Sequence, residues 1–216
     1  MKNTDLSQYK KLLVVVDMVN GFVKKGALAD PEIGRIVPEI TRLIEQTLDE
    51  GGHVVFVKDT HHENSREFKA FPPHCIKGTP EAELIDEFKP YEELGLATSY
   101  EKNSTSTMFA KGFLRDLEEM ENLKEIIITG CCTDICVMNL AIPLKNYLDE
   151  YDREMRLVVP KNAVDTFRGE LNDRDERNLE ALDWMSRGGV EIVDEYKSET
   201  DIVQEWDEQD EWDTTR

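Results

Sequence analysis

Short runs of β-branched and aliphatic residues recur along this chain, each separated from the next by a stretch with helical spacing. That alternation constrains the fold more than any other feature. Residues 12–16 (L-L-V-V-V), 53–57 (H-V-V-F-V), 125–129 (E-I-I-I-T), 155–159 (M-R-L-V-V) and 190–193 (V-E-I-V) read as strands, with a weaker one at 96–101. The first is apolar at every position, as in a strand covered on both faces. Between the strands, residues 31–50 place Ile33, Ile36, Val37, Ile40, Leu43, Ile44, Thr47 and Leu48 at helical spacing, and Gly51-Gly52 ends the run. The spacing also predicts helices over 81–88, 110–121, 134–148 and 174–187. Pro143 should kink or break the third of these, and Leu179, Leu182 and Met185 should share one face of the last. Strands alternating with helices of this length imply crossover connections, hence a mostly parallel sheet with helices on both faces: an α/β, three-layer α-β-α sandwich. The chain has 216 residues and no repeat or linker, so one domain is expected over 1–195, followed by an acidic tail over 196–216.

The formal charge of −20 argues against nucleic acid and against anionic membrane surfaces as partners. The first residues are polar, without the pattern of a secretory signal, and no apolar run reaches the length of a membrane span. Of the four cysteines, Cys131, Cys132 and Cys136 are clustered and Cys75 stands apart, which is no disulfide framework. A reduced, cytoplasmic protein is expected, with room for a homo-oligomer. The tail reads as a solvated segment, although Trp206 and Trp212 keep a binding role open.

In open α/β sheets ligands bind beyond the carboxyl ends of the strands. Those ends are Asp17, Asp59, Lys102 and the loop 130–136, with Lys161 after the fifth strand. The loop lies in I-I-I-T-G-C-C-T-D-I-C-V, where a strand leads straight into a helix with Cys136 in its first turn. A thiol there meets the helix dipole and free N–H groups, which favour the thiolate and can stabilise an oxyanion. A lone cysteine in such a place is more often a buried structural residue. Asp17 and Lys102 change that weighting, because base, cation and nucleophile then stand at neighbouring strand ends.

A second constellation is D-T-H, Asp59-Thr60-His61, followed by His74 in F-P-P-H. Alternate residues of an extended segment point the same way, so Asp59 and His61 can grip one ion, His74 can close the site, and Glu67 is a further ligand candidate. Histidine and carboxylate ligands suit one divalent transition metal, Zn, Fe, Mn or Co, in an open site. His62 is expected to face solvent and Cys75 to be a bystander.

Together V-V-V-D-M-V-N-G-F, D-T-H with P-P-H, Lys102 and G-C-C-T-D-I-C-V resemble the isochorismatase-like cysteine hydrolases over residues 12–193. The metal motif is similar to that of the family's nicotinamidase (pyrazinamidase) branch, which deamidates nicotinamide to nicotinate. The resemblance implies a catalytic triad of Asp17, Lys102 and Cys136, and an oxyanion hole from the backbone N–H groups of Cys132 and Cys136. It also implies a cis Cys131–Cys132 peptide, metal ligands Asp59, His61 and His74 (Glu67 in some members), and a substrate ring packed by Phe22 and Phe71. The chain departs from the family pattern at Val19, where Gln is common, at Phe71 in place of Trp, and at Thr105, in a region where many members carry an aromatic. A small-molecule amide, nicotinamide, is the expected substrate. The alternatives are another amidase or ureido-hydrolase of the family, or a catalytically silent partner-binding member. A redox role for Cys132 and Cys136 fits poorly, because the spacing is not C-x-x-C.

Overall fold

The computed structural model describes residues 5–169, 173–198 and 201. Along the chain come β1 (Lys11–Val16), α1 (Asn20–Val23), a 3-10 segment (Pro31–Ile36) running into α2 (Val37–Asp49), β2 (His53–Asp59), α3 (Lys89–Glu93) and β3 (Ala97–Lys102). There follow α4 (Phe113–Glu119), β4 (Glu125–Cys131), a π-helical turn (Thr133–Val137) continuing into α5 (Met138–Glu150), β5 (Arg156–Pro160), β6 (Val164–Asp165), α6 (Arg174–Arg187) and β7 (Glu191–Val193). The sheet order is β3-β2-β1-β4-β5-β7, with β6 beside the end of β4, and every pairing is parallel.

The period-2 geometry of the strands divides the core in two. Leu12, Val14, Val16, Ile126 and Ile128 face one layer, where they meet Phe113 and Leu117 of α4, Leu140 and Leu144 of α5, and Met185 of α6. Leu13, Val15, Phe56 and Ile127 face the other, where they meet Ile40, Leu43 and Ile44 of α2 together with Phe22. A three-layer sandwich is thus the direct consequence of strands that are apolar at every position. Each such side chain, fully buried, contributes roughly 1.5–3 kcal/mol.

Several local expectations shift. Pro38 divides the segment expected as one helix over 31–50: it lies in the first turn of α2, where a missing N–H costs nothing, and a 3-10 segment precedes it. The helix expected over 81–88 is absent. Ile85 N–H donates to the Met18 carbonyl (3.1 Å), Asn20 N–H to the Glu83 carbonyl (2.9 Å), and Leu84 bridges Val19, so Leu84, Ile85 and Phe88 are buried from an irregular strap. Pro143 neither breaks nor ends α5. The Asn139 carbonyl, which Pro143 cannot serve, accepts instead from Ser106 Oγ at 2.7 Å. On α6, Leu182 and Met185 are buried but Leu179 is 65% exposed; Ala181 completes the inner face.

Gly130 permits the closest approach in the sheet. Its φ is +105°, and a Cβ there would lie 2.0 Å from the Val16 carbonyl oxygen, so only glycine lets β4 turn beside the end of β1. Tyr196, the first residue of the expected tail, is buried, and its hydroxyl donates to Glu125 at 2.6 Å. Ser198 is buried too; Trp206 and Trp212 lie outside the described residues. No helix among the described residues is long and apolar enough to cross a membrane.

Candidate active site

The ends of β1 and β3 and the turn after β4 bring three side chains to one point. Asp17 follows β1, and its backbone turns out of the sheet with φ 52°, a left-handed conformation that Asp tolerates better than most residues. Its N–H donates to the Val57 carbonyl (2.9 Å), which ties the turn to β2. Lys102 ends β3, and Cys136 lies in the π-helical turn after β4. All three are buried. Lys102 Nζ is 2.9 Å from Asp17 Oδ2, 2.8 Å from Asp59 Oδ1 and 3.6 Å from Cys136 Sγ. The two constellations seen separately in the sequence are therefore one, joined through the Lys102 ammonium. The peptide Cys131–Cys132, just before the turn, is cis.

Asp17 is the under-satisfied member. Although Lys102 Nζ is near, no donor with good hydrogen-bond geometry reaches either of its oxygens. Burial raises its pKa to about 6 against the lowering effect of Lys102, and the negative charge of Asp59 adds to the rise. Asp59 goes the other way: burial would raise it, but Lys102 and the two imidazoles hold it well below the carboxylate range. Lys102 is buried, yet Asp17 and Asp59 keep it charged far up the pH scale. At Cys136 burial opposes the helix terminus. Desolvation pushes its thiol well above the ordinary value, outweighing the lowering effect of Lys102, and Asp17 reinforces the rise. Burial therefore favours the neutral thiol over the thiolate at this position.

Asp59, His61, His74 and Glu67 also converge, with one ligand atom from each lying within 4.8 Å of every other. His61 Nε2 is 2.9 Å from Asp59 Oδ2, His74 Nε2 is 3.0 Å from the same oxygen, and the two Nε2 atoms are 3.2 Å apart. Glu67 Oε1 stands 3.7 Å from His61 Nε2. His74 Nδ1 is 2.8 Å from the Pro72 carbonyl oxygen, and His61 Nδ1 is 3.0 Å from Asn103 Oδ1, an oxygen that also accepts from His62 N–H. Those acceptors place the protons on Nδ1 and leave both Nε2 lone pairs pointing at a carboxylate. A divalent cation satisfies this converging set of acceptors, so the residues fit the metal. Burial disfavours the His61 imidazolium, but the Asp59 carboxylate outweighs it and raises its pKa. His62 is exposed, and Cys75 is buried outside the ligand set, as expected for both.

Between sulfur and ligand set lies a small cavity. Phe22, Phe71, Leu28, Ile135 and Phe167 form its apolar walls; Thr105, Cys132, Cys136, Asp59, Glu67 and His74 supply the polar edge. The rings of Phe22 and Phe71 stand 5.6 and 6.2 Å from that of His74. Asp17 and Lys102 sit behind this surface. The sequence reading missed Asn103, Phe68 and Phe167. Asn103 follows the strand-end lysine directly, which was a usable signal. Phe68 packs on both imidazoles, with centroids 5.2 Å from His61 and 5.7 Å from His74, and sits one residue after Glu67. Phe167 gave none, because it reaches the cavity from a loop after β6.

A parallel sheet covered on both faces, with a site at its strand ends, defines an α/β three-layer sandwich, and known proteins narrow it further. The model of the isochorismatase domain matches residues 11–187, and the chain belongs to that family. It is similar to a nicotinamidase PncA from Bacillus subtilis (29% identity, TM-score 0.68, covering 86% of this chain and 99% of that one). It is similar to a zinc complex of the pyrazinamidase of Pyrococcus horikoshii (26%, 0.67, covering 85% and 98%). An N-carbamoylsarcosine amidase from Thermoplasma acidophilum matches as well (29%, 0.68, covering 88% and 99%).

Proposed function

We propose that the chain is a metal-dependent cysteine amidase that converts nicotinamide to nicotinate and ammonia. The observation that carries this reading is the cavity: an aromatic slot with a thiol at one end, a histidine–carboxylate set at the other, and no arginine or lysine on its walls among the described residues. A flat, uncharged heteroaromatic amide suits it. A ureido acid, the runner-up suggested by the carbamoylsarcosine amidase, brings a carboxylate that no cation among the described wall residues receives.

Cys136 Sγ attacks the amide carbon while Asp17 takes the thiol proton. The backbone N–H groups of Cys132 and Cys136 donate to the oxyanion. Asp17 then passes its proton to the departing ammonia, leaving a thioester, takes a proton from the water that hydrolyses it, and returns that proton to the Cys136 sulfur as it leaves. Lys102 remains an ammonium throughout and keeps Asp17 from wandering out of line. Phe22 and Phe71 pack the ring. Asp59, His61 and His74, with Glu67 beside them, would hold a divalent metal, which when bound would supply a Lewis acid for the ring nitrogen, a positioning role.

The test is ammonia release from nicotinamide, pyrazinamide, benzamide and N-carbamoylsarcosine by zinc-loaded protein. Nicotinamide and pyrazinamide should turn over, and benzamide, which lacks the ring nitrogen, should fall by roughly 100-fold or more. Comparable rates with benzamide would remove the metal from substrate positioning. Turnover of the ureido acid alone would replace this reading with the runner-up.

A further inference from the structure

Helix α6 points two arginines, Arg174 and Arg177, at the edge of the site. Arg174 grips Asp165 at the end of β6. Arg177 does something different. Its Nε donates to Asp134 Oδ2 at 2.8 Å, and its Nη2 makes a second, short contact to the same oxygen. Its guanidinium lies 4.4 Å from the centroid of the Phe167 ring, and Nη1 donates to the Phe167 carbonyl at 3.4 Å. Asp134 belongs to the π-helical turn that carries Cys136, and its other oxygen accepts from Thr166 Oγ1 at 2.6 Å. The side chains of Arg177 and Asp134 are only 16% and 18% exposed, so the pair is partly desolvated and stronger than a surface ion pair. One guanidinium thus holds the nucleophile's turn and an aromatic wall of the cavity together.

We propose that Arg177 is a positioning residue. Through Asp134 it fixes the turn that aims Cys136, and through stacking and the carbonyl contact it fixes Phe167 against the substrate ring. The proposal rests on the cysteine-amidase reading for its effect on turnover, but not for its effect on the thiol. A planar fork that bonds and stacks at once is a task for arginine, which lysine performs only in part. A displacement of about 1 Å in a reacting group costs up to about 100-fold in rate.

The experiment measures three quantities in wild type, Arg177→Met, Arg177→Lys and Phe167→Leu: kcat and KM for nicotinamide, the rate at which iodoacetamide alkylates Cys136 (read by peptide mass), and melting temperature. Arg177→Met should lower kcat about tenfold or more, raise KM, and change the alkylation rate several-fold; Arg177→Lys should recover part of each. Phe167→Leu should raise KM and leave alkylation alone. Combining Phe167→Leu with Arg177→Met should add little further rise in KM, since the ring is already released. If Arg177→Met melts too low to assay, Arg177→Lys carries the same comparison. Wild-type alkylation and kcat in the arginine variants, or strictly additive KM effects, would overturn the proposal. If wild type fails on nicotinamide, the substrate reading fails alone, and the alkylation rates still decide the role of Arg177.

Discussion

Two buried aspartates at the carboxyl edge of the same sheet have opposite surroundings. Asp165, at the end of β6, accepts from Arg35 Nε (2.8 Å), Arg35 Nη2 (3.1 Å), Arg174 Nε (3.0 Å), Asn178 Nδ2 (3.0 Å) and the Thr166 N–H (2.9 Å), with a further short contact from Arg174 Nη2. Asp17 has one ammonium beside it and no well-directed donor, and its pKa rises to about 6. A carboxylate with every lone pair occupied is an anchor: it has no capacity left to move a proton. One stripped of water and left with lone pairs to spare is poised to take a proton from a neighbouring thiol. The fold offers both aspartates the same scaffold, and hydrogen-bond satisfaction is what distinguishes them.

That division can be broken at its strongest point first. Cys136→Ala should abolish ammonia release, whereas Cys75→Ala should leave most of it, because Cys75 is buried outside the ligand set and burial pushes its thiol far up. Substantial turnover by Cys136→Ala would move the chemistry elsewhere. Next, purified protein should hold about one equivalent of divalent metal by elemental analysis, and a His61→Ala, His74→Ala double variant should hold none. Retained metal in that variant would mean that the converging Nε2 atoms are not its ligands.

On the anchoring side, Asp165→Asn should be a stability variant. Arg174 is buried and, among the described residues, would keep Glu32 as its ion-pair partner, so the cost should be about 3–5 kcal/mol, a fall of roughly 10 °C in melting temperature. An unchanged melting temperature would show that a full set of hydrogen bonds need not signify an anchor. The smallest effect concerns His53, stacked on Tyr9 and far from the metal ligands. Burial lowers its pKa from 6.5 to about 4. Below pH 6.5 the unfolded chain binds a proton that the folded chain refuses until about 4. Stability is therefore complete above 6.5 and falls across that window, by up to about 3 kcal/mol. Denaturant titrations of wild type and His53→Gln at pH 7 and 4.5 should show a smaller pH loss in the variant; equal losses would remove His53 as the source.

Much of this was legible in the sequence because it depends on local pattern. Strands apolar at every position announce a sheet covered on both faces, and residues just past such strands are the ones that reach the crevice, which is how Asp17, Asp59, Lys102 and Cys136 could be chosen. Other features depend on partners distant along the chain. The spacing of Leu84, Ile85 and Phe88 fits a helix as well as the strap that Met18 and Val19 hold in place, and Pro143 looked disruptive because the hydroxyl of Ser106 is invisible from α5. The desolvation of Cys136 was hidden for the same reason: helix position is local, whereas burial by two layers is not. Asp134, Arg177 and Phe167 come together only through the docking of α6, and no pattern in the residues marks them.

The most direct measurement is kcat/KM for nicotinamide in Asp17→Asn, with melting temperature and metal content recorded beside it. Asn keeps the side chain's shape and tolerates the left-handed backbone at this position, while Lys102 retains Asp59 as its partner. If Asp17 is the proton carrier, kcat/KM should fall by about 100- to 10,000-fold, with metal content unchanged and the melting temperature within a few degrees of wild type. A folded, metal-loaded Asp17→Asn protein that keeps kcat/KM within tenfold of wild type would contradict the account.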